Sequence, residues 1–203
     1  MAVIKGYSKC YIQKAANQRE LVYSIVSDGQ TIGKLRESKY PEKKAENILV
    51  KLVSLYFLSF TGRMIVERIE MEVLDDKGIL VGKIIKEMGF YKDLLLYSQN
   101  GIHIATVKTT AKGKAPTIKV ADATGNGTLH AVGSFDAIDF TVSESSTSKG
   151  VSSIKKRSLI YDTVKENFSK HDVYHIENSC DENDILFELI GIAAAIDIHF
   201  HRG

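Results

Sequence analysis

Cysteine and proline are both scarce: the chain of 203 residues contains two of each. Two cysteines, Cys10 and Cys180, cannot supply the dense disulfide framework of a small secreted domain, and a reducing compartment would hold them as free thiols. Asp181, Glu182 and Asp184 follow Cys180 closely, and their carboxylates disfavour a thiolate nucleophile there. The two prolines, Pro41 and Pro116, interrupt none of the strands described below. Charge of either sign is also not in excess. With 27 Lys and Arg against 25 Asp and Glu, the net charge is +2, which sets aside nucleic-acid binding by the whole surface. The first residues, MAVIKGYSKCY, contain no apolar run long enough for a secretory signal core, so the expected location is the cytoplasm.

Catalytic signatures are missing as well. The glycines of TGNGTLHAVG fit neither a dinucleotide fingerprint nor a P-loop and read as a turn. No G-x-S-x-G elbow, C-x-x-C pair or nucleophilic triad can be assembled. His199 and His201 form an H-x-H pair at a helix terminus, where positions i and i+2 diverge and a positive group simply favours the helix C-terminus. His171 and His175 are spaced i and i+4 but fall on a strand, without the helical geometry of a zinc motif. The expectation is a protein that is not an enzyme, with no cofactor and no metal site.

What the sequence does contain is a run of glycine-bearing turns between short alternating segments. Hydrophobic residues make up 44% and charged residues 26%, an ordinary globular balance, and residues 1–203 are enough for one strand-rich domain. Leu21 to Ser27 meets Asp28-Gly29 and returns over Thr31 to Arg36; Met64 to Leu74 meets Asp75-Asp76-Lys77-Gly78 and returns over Ile79 to Lys86. The two hairpins echo one another, with Gly33-Lys34-Leu35 matched by Gly82-Lys83-Ile84. Further turns fall at Asn100-Gly101, at Thr124 to Gly127 and at Lys149-Gly150, inside a serine-rich tip from Ser143 to Ser153. With strands near Val3 to Ile12 and Asp172 to Ile176, roughly a dozen strands precede residue 178. Ala45 to Phe60 is almost continuously apolar and is read as a helix opened by Pro41, although periodicity alone also permits a buried strand. Leu159 to Phe168 has the spacing of a short surface helix.

The C-terminal segment, about 181–200, reads as a second kind of helix. Ser179 and Glu182 have the spacing of a capping box, and Asp181 and Asp184 suit the positive end of the helix dipole. From Ile185 to Phe200 the segment is apolar on every face apart from Glu188 and Asp197, so it must be surrounded. At ~1.5 Å per residue it reaches only ~24 Å, short of the ~30 Å core of a bilayer, and each carboxylate would cost about 2.5–3.5 kcal/mol at the bilayer centre. Protein rather than lipid is therefore expected around it, and the chain is not expected to span a membrane. A closed antiparallel barrel of about a dozen strands has a lumen too wide for its own side chains, and this helix is a fitting filler. Gly191 and Ala193-Ala194-Ala195 narrow it where strands approach, and Asp197 is expected to be hydrogen-bonded at the helix end rather than catalytic.

Serial hairpins followed by LIGIAAAIDIHF resemble the tubby C-terminal-like fold, in particular its phospholipid scramblase and LURF-one-related branch. The matching features are the strand Asp172 to Ile176, the acidic Asp181, Ile190-Gly191, Ile196-Asp197 and Phe200. The pattern covers nearly the whole chain and is specific over about the last thirty residues. The resemblance implies a barrel of twelve strands around the terminal helix, with Asp181, Gly191 and Asp197 structural and with lipid binding or membrane-linked regulation as the role. Asp181-Glu182-Asn183-Asp184 lacks the turn glycine and downstream glutamate of a calcium loop, and there is no palmitoylated cysteine cluster or proline-rich tail. Basic clusters supply the remaining signal: Lys108, Lys112, Lys114 and Lys119 surround one turn, and Lys155-Lys156-Arg157 follow another. Each charge near an anionic bilayer contributes about 1 kcal/mol. Lys112, Lys114, Lys119, Lys155, Lys156 and Arg157 are therefore the candidate contacts for an anionic phospholipid head group or a membrane-associated partner. A scaffold that binds protein alone, and an enzyme with a pocket between barrel and helix, are the alternatives.

Overall fold

Strands rich in Val, Ile, Leu and Thr, with every second side chain apolar, pair edge to edge until no edge is left. The computed structural model describes residues 9–14, 22–38, 68–88, 93–110, 115–158, 172–178 and 185–201. The strands are β1 Lys9–Lys14, β2 Val22–Ser27, β3 Gln30–Glu37, β4 Ile69–Asp75, β5 Leu80–Lys86, β6 Leu94–Ser98, β7 His103–Thr110, β8 Thr117–Asp122, β9 Gly127–Gly133, β10 Asp139–Glu144, β11 Gly150–Ser158 and β12 Asp172–Asn178. Each pairs antiparallel with its neighbours in sequence, and β1 pairs with β12 to close a barrel of twelve strands, as the turn count and the apolar helix led one to expect. The first strand begins, among the described residues, at Lys9. Ala45 to Phe60, Leu159 to Phe168, His171 and the capping residues Ser179 to Asp184 lie outside the described residues.

The hairpins β2–β3, β4–β5, β6–β7, β8–β9 and β10–β11 all turn at one end of the barrel, and each carries a register shift beside its turn. Such bulges bend and over-twist a strand pair, which is what curling a sheet into a barrel requires. Three of these turns repeat one design. The amides of Gly78, Gly101 and Gly125 donate to the carbonyls of Asp75, Ser98 and Asp122 at 3.0–3.1 Å, with the glycines at φ +76° to +92°. That left-handed conformation suits glycine, and a type I turn closed by it matches the twist of the flanking strands.

The lumen is filled by α1, Leu186–Ile196, which continues into a π-helical turn over Asp197–His201. The tail of the expected helix is thus wound more loosely than an α-helix, and the Asp197 amide donates to the carbonyls of both Ala193 and Ala194. Leu189, Ile190, Ile192 and Ile196 are buried, and each such burial contributes about 1.5–3 kcal/mol. They meet Val73, Ile84, Leu94, Leu96, Val107, Ile118 and Val120 from the strands in one continuous core. A Cβ on Gly191 would stand 3.0 Å from Leu96 Cδ2 and 3.4 Å from Val107 Cγ2, so the helix is at its narrowest where β6 and β7 press on it. Gly82 plays the reciprocal role on β5, where a Cβ would lie 2.8 Å from the ring of Phe187. On β7, β8 and β10 the apolar Ala105, Val107, Ile118, Val120, Phe140 and Val142 point inward while Lys108, Lys119 and Thr141 point outward, the reverse of the alternation in a barrel that spans a membrane.

Candidate functional site

At the end of the barrel opposite the five hairpins, the mouth of the lumen is closed by polar contacts around Asp197. Period-two alternation brings Tyr23 from β2, Tyr174 from β12 and Lys14 from β1 to the inner side, and register places Ile12 opposite Tyr174 and Lys14 opposite Tyr23. Tyr23 donates its phenol O–H to Asp197 Oδ2 at 2.6 Å, and Tyr174 donates to Oδ1 at 2.8 Å. Lys14 Nζ stands 3.7 Å from the same carboxylate, over the face of the Tyr23 ring. The carboxylate is 1% exposed and its two oxygens are occupied, so it ties the helix end to three consecutive strands of the wall rather than facing a cleft.

Two further inner groups lie at this mouth. Lys86, the last residue of β5, shares the inner face with Gly82 and Ile84, is 1% exposed and donates to the Glu87 carbonyl at 3.3 Å. His199 is pushed down to about 4, first by burial and then by the Lys86 ammonium, so its ring is neutral near pH 7. His201 diverges from it, as expected for i and i+2, and its Nε2–H donates to the Ala137 carbonyl at 2.8 Å. The Cys10 thiol is buried and pushed up to about 12, which leaves it protonated and unreactive. Among the described residues, no three His, Cys, Asp or Glu side chains gather as a metal-ligand set.

The outer face of β7–β11 is where the basic candidates fall. Lys108 and Lys119 stand directly opposite one another on β7 and β8, with His130 next in the row on β9 and then Ser143 and Gly150. This row contains no carboxylate, and neither lysine makes an ion pair among the described residues. Lys155 and Arg157 project outward from β11, where Arg157 Nη1 pairs with Asp139 Oδ1 at 3.1 Å. Alternation turns Lys156 to the other side, with Ile154, so the triplet Lys155-Lys156-Arg157 is divided between two faces. Lys112, Lys114 and Asp181 lie outside the described residues. Lys119 and Lys155 are separated by β9 and β10, which at ~4.8 Å per strand and ~3.3 Å per residue puts them on the order of 20 Å apart.

The chain shares its fold with a plant protein. An X-ray structure of a protein from Arabidopsis thaliana superposes with a TM-score of 0.52 over 96% of this chain and 94% of that one, at 12% sequence identity. At that identity the likeness speaks for the barrel and its central helix and for nothing more specific. No protein-family model matches the sequence, and no curated protein does. Among the described residues no helix is long and apolar enough to cross a membrane.

Sequence reasoning passed over Lys14, Tyr23, Tyr174 and Lys86. For Lys14 and Lys86 a signal existed, since each sits two residues beyond an inward-facing Ile12 or Ile84 on the same strand face. The tyrosines, two residues before the inward-facing Ile25 and Ile176, had the same signal for their side, but their shared partner, 174 and 23 residues away, left none.

Proposed function

We propose that this protein is a non-enzymatic binding module that docks on anionic phospholipid head groups at a membrane surface, with the outer face of β7–β11 as its contact. The observation that carries the reading is the row Lys108–Lys119–His130. Like charges directly opposite one another on neighbouring strands cost stability, and a phosphate-bearing surface removes that cost. Thr106, Thr110, Thr117 and Thr141 on the same outer face add hydroxyl donors around the cations. Lys119 and Lys155 are too far apart for one small ligand, and a charged surface engages both. The absence of catalysis in this reading rests on chemistry: the Asp197 carboxylate is fully engaged and the Cys10 thiol stays protonated. The resemblance to scramblase-like and LURF-one-related proteins points the same way.

Flotation with neutral and with anionic vesicles, at low and moderate salt, tests the reading. The expected result is binding to anionic vesicles alone, weakened by salt over a Debye length of ~8–10 Å and abolished by combining Lys108→Glu with Lys119→Glu. Each reversal removes one attractive charge and adds a repelling one, worth about 2 kcal/mol per position. Indifference of the unmodified protein to anionic vesicles would sink it and turn the search to protein partners.

A further inference from the structure

Among the described residues, large apolar side chains are exposed at both ends of this barrel, and the charges around Ile79 and Ile102 differ from those around Phe135. At the hairpin end Ile79 and Ile102 are 52% and 63% exposed; the turn of Ile79 also carries Asp75 and Asp76, and the β8–β9 turn at the same end carries Asp122. At the opposite end Phe135 is 88% exposed at the tip of the β9–β10 loop, with Val132 44% exposed below it on β9. The neighbouring strand β11 carries Lys155, opposite Asp139, and Arg157 near that end, whereas Lys119 on β8 is level with His130 in the middle of β9.

The Phe135 loop is built rather than slack. The Ser134 amide donates to the Asp139 carbonyl at 2.7 Å and the Ala137 amide to the Ser134 carbonyl at 2.9 Å. His201, at the end of the lumen helix, holds the Ala137 carbonyl from behind. Asp136, next to Phe135 in the chain, folds back to accept from the Ser134 hydroxyl and the Ile138 amide, and these contacts hold it below the usual carboxylate range. Asp139 is paired with Arg157. Asp139 is therefore offset by Arg157, Asp136 keeps its charge but is tied into the loop by neutral donors, and Lys155 makes no ion pair among the described residues.

We infer that Phe135 is the element of this protein that inserts into the membrane: it enters the interface of an anionic bilayer while Lys155 and Arg157 on the neighbouring strand engage the head groups, so the barrel docks with its β9–β10 tip down and its acidic hairpin end away. An aromatic ring beside cations is favoured at that boundary, because its apolar body leaves water as the charges meet lipid phosphate. The inference rests on the lipid-docking reading above and adds to it an orientation and an inserted residue.

The chain has no tryptophan, so Phe135→Trp gives a sole reporter at the tip and Ile102→Trp one at the other end. Each variant is mixed with vesicles of phosphatidylcholine and phosphatidylserine, with and without brominated acyl chains, alongside flotation of the unmodified protein. The expected result is a blue shift and bromine quenching at position 135 and neither at position 102. Phe135→Ala is expected to lower vesicle partition roughly tenfold or more without moving the thermal unfolding midpoint, since the ring is exposed in the free protein. A shift at position 102 instead, or flotation with an unchanged spectrum at position 135, overturns the inference and leaves the docking reading in place. Failure of the unmodified protein to float on these vesicles removes both.

Discussion

The hairpin end of the barrel and the helix-closed end use the same residue types in opposite ways. At Asp75 and Asp122 a carboxylate at the surface accepts from backbone amides only two and four residues ahead. At Asp197 a carboxylate of the same chemistry is buried and reaches Tyr174 and Tyr23, 23 and 174 residues away. The first kind of contact shapes a turn that neighbouring atoms already favour. The second joins segments that have no other reason to meet, so the position of the lumen helix and the loop that carries Phe135 both depend on it through Asp197 and His201. Stability and the proposed function therefore meet at one end, while the other end is repeated local geometry.

The largest effect that would test this contrast is expected from Asp197→Ala. It deprives Tyr23 and Tyr174 of a charged acceptor inside the barrel and Lys14 of its counter-ion. Breaking a buried ionic contact by removing one partner costs about 3–5 kcal/mol. Urea unfolding is expected to show a loss of that size. Asp197→Asn, which keeps one oxygen acceptor, is expected to lose less, and a loss under about 1 kcal/mol for the alanine variant would mean that the helix end is held by apolar packing alone.

The same contrast explains what could be read in advance. Gly29, Gly78, Gly101 and Gly125 all sit at positive φ in turns, so each left a mark in the sequence, and with them came the strand count and the closed barrel. The lumen helix was legible because Ile185 to Phe200 is apolar on every face. The β9–β10 loop was not, because its left-handed residue is Ala137, at φ +57°, where no glycine marks the turn. The lysine clusters were visible as composition, but only register shows that Lys108 faces Lys119 and that Lys156 turns away from Lys155 and Arg157. The tyrosine ties to Asp197 depend on barrel closure between β1, β2 and β12, which no local pattern encodes.

Acid should loosen the two ends in different windows. The folded value of His199, about 4, lies below its ordinary 6.5, so the unfolded chain binds the proton first. Its contribution to stability is full above about 6.5 and is lost as pH falls through about 4. Urea midpoints measured across that window are expected to fall with pH in the unmodified protein and to fall less in His199→Gln. Parallel profiles for the two would show that burial beside Lys86 leaves the ring free to titrate as it does in water.

The smallest effect is expected from Asp122→Ala, at the hairpin end. The Asp122 carboxyl is held below its usual range first by the Thr124 hydroxyl and then by the amides of Asn126 and Thr124, and it is fully exposed. Water can replace each of these bonds, and Gly125, which sets the backbone of the turn, is untouched. Because the folded value is depressed, what Asp122 contributes is present above the ordinary carboxylate range and disappears only below it, outside most of the His199 window. The expected outcome is a slight fall in the urea midpoint at neutral pH that vanishes in acid, with vesicle flotation unchanged. A loss comparable to that of Asp197→Ala would break the comparison, since it would make a solvent-exposed local turn as essential to the barrel as the buried long-range tie.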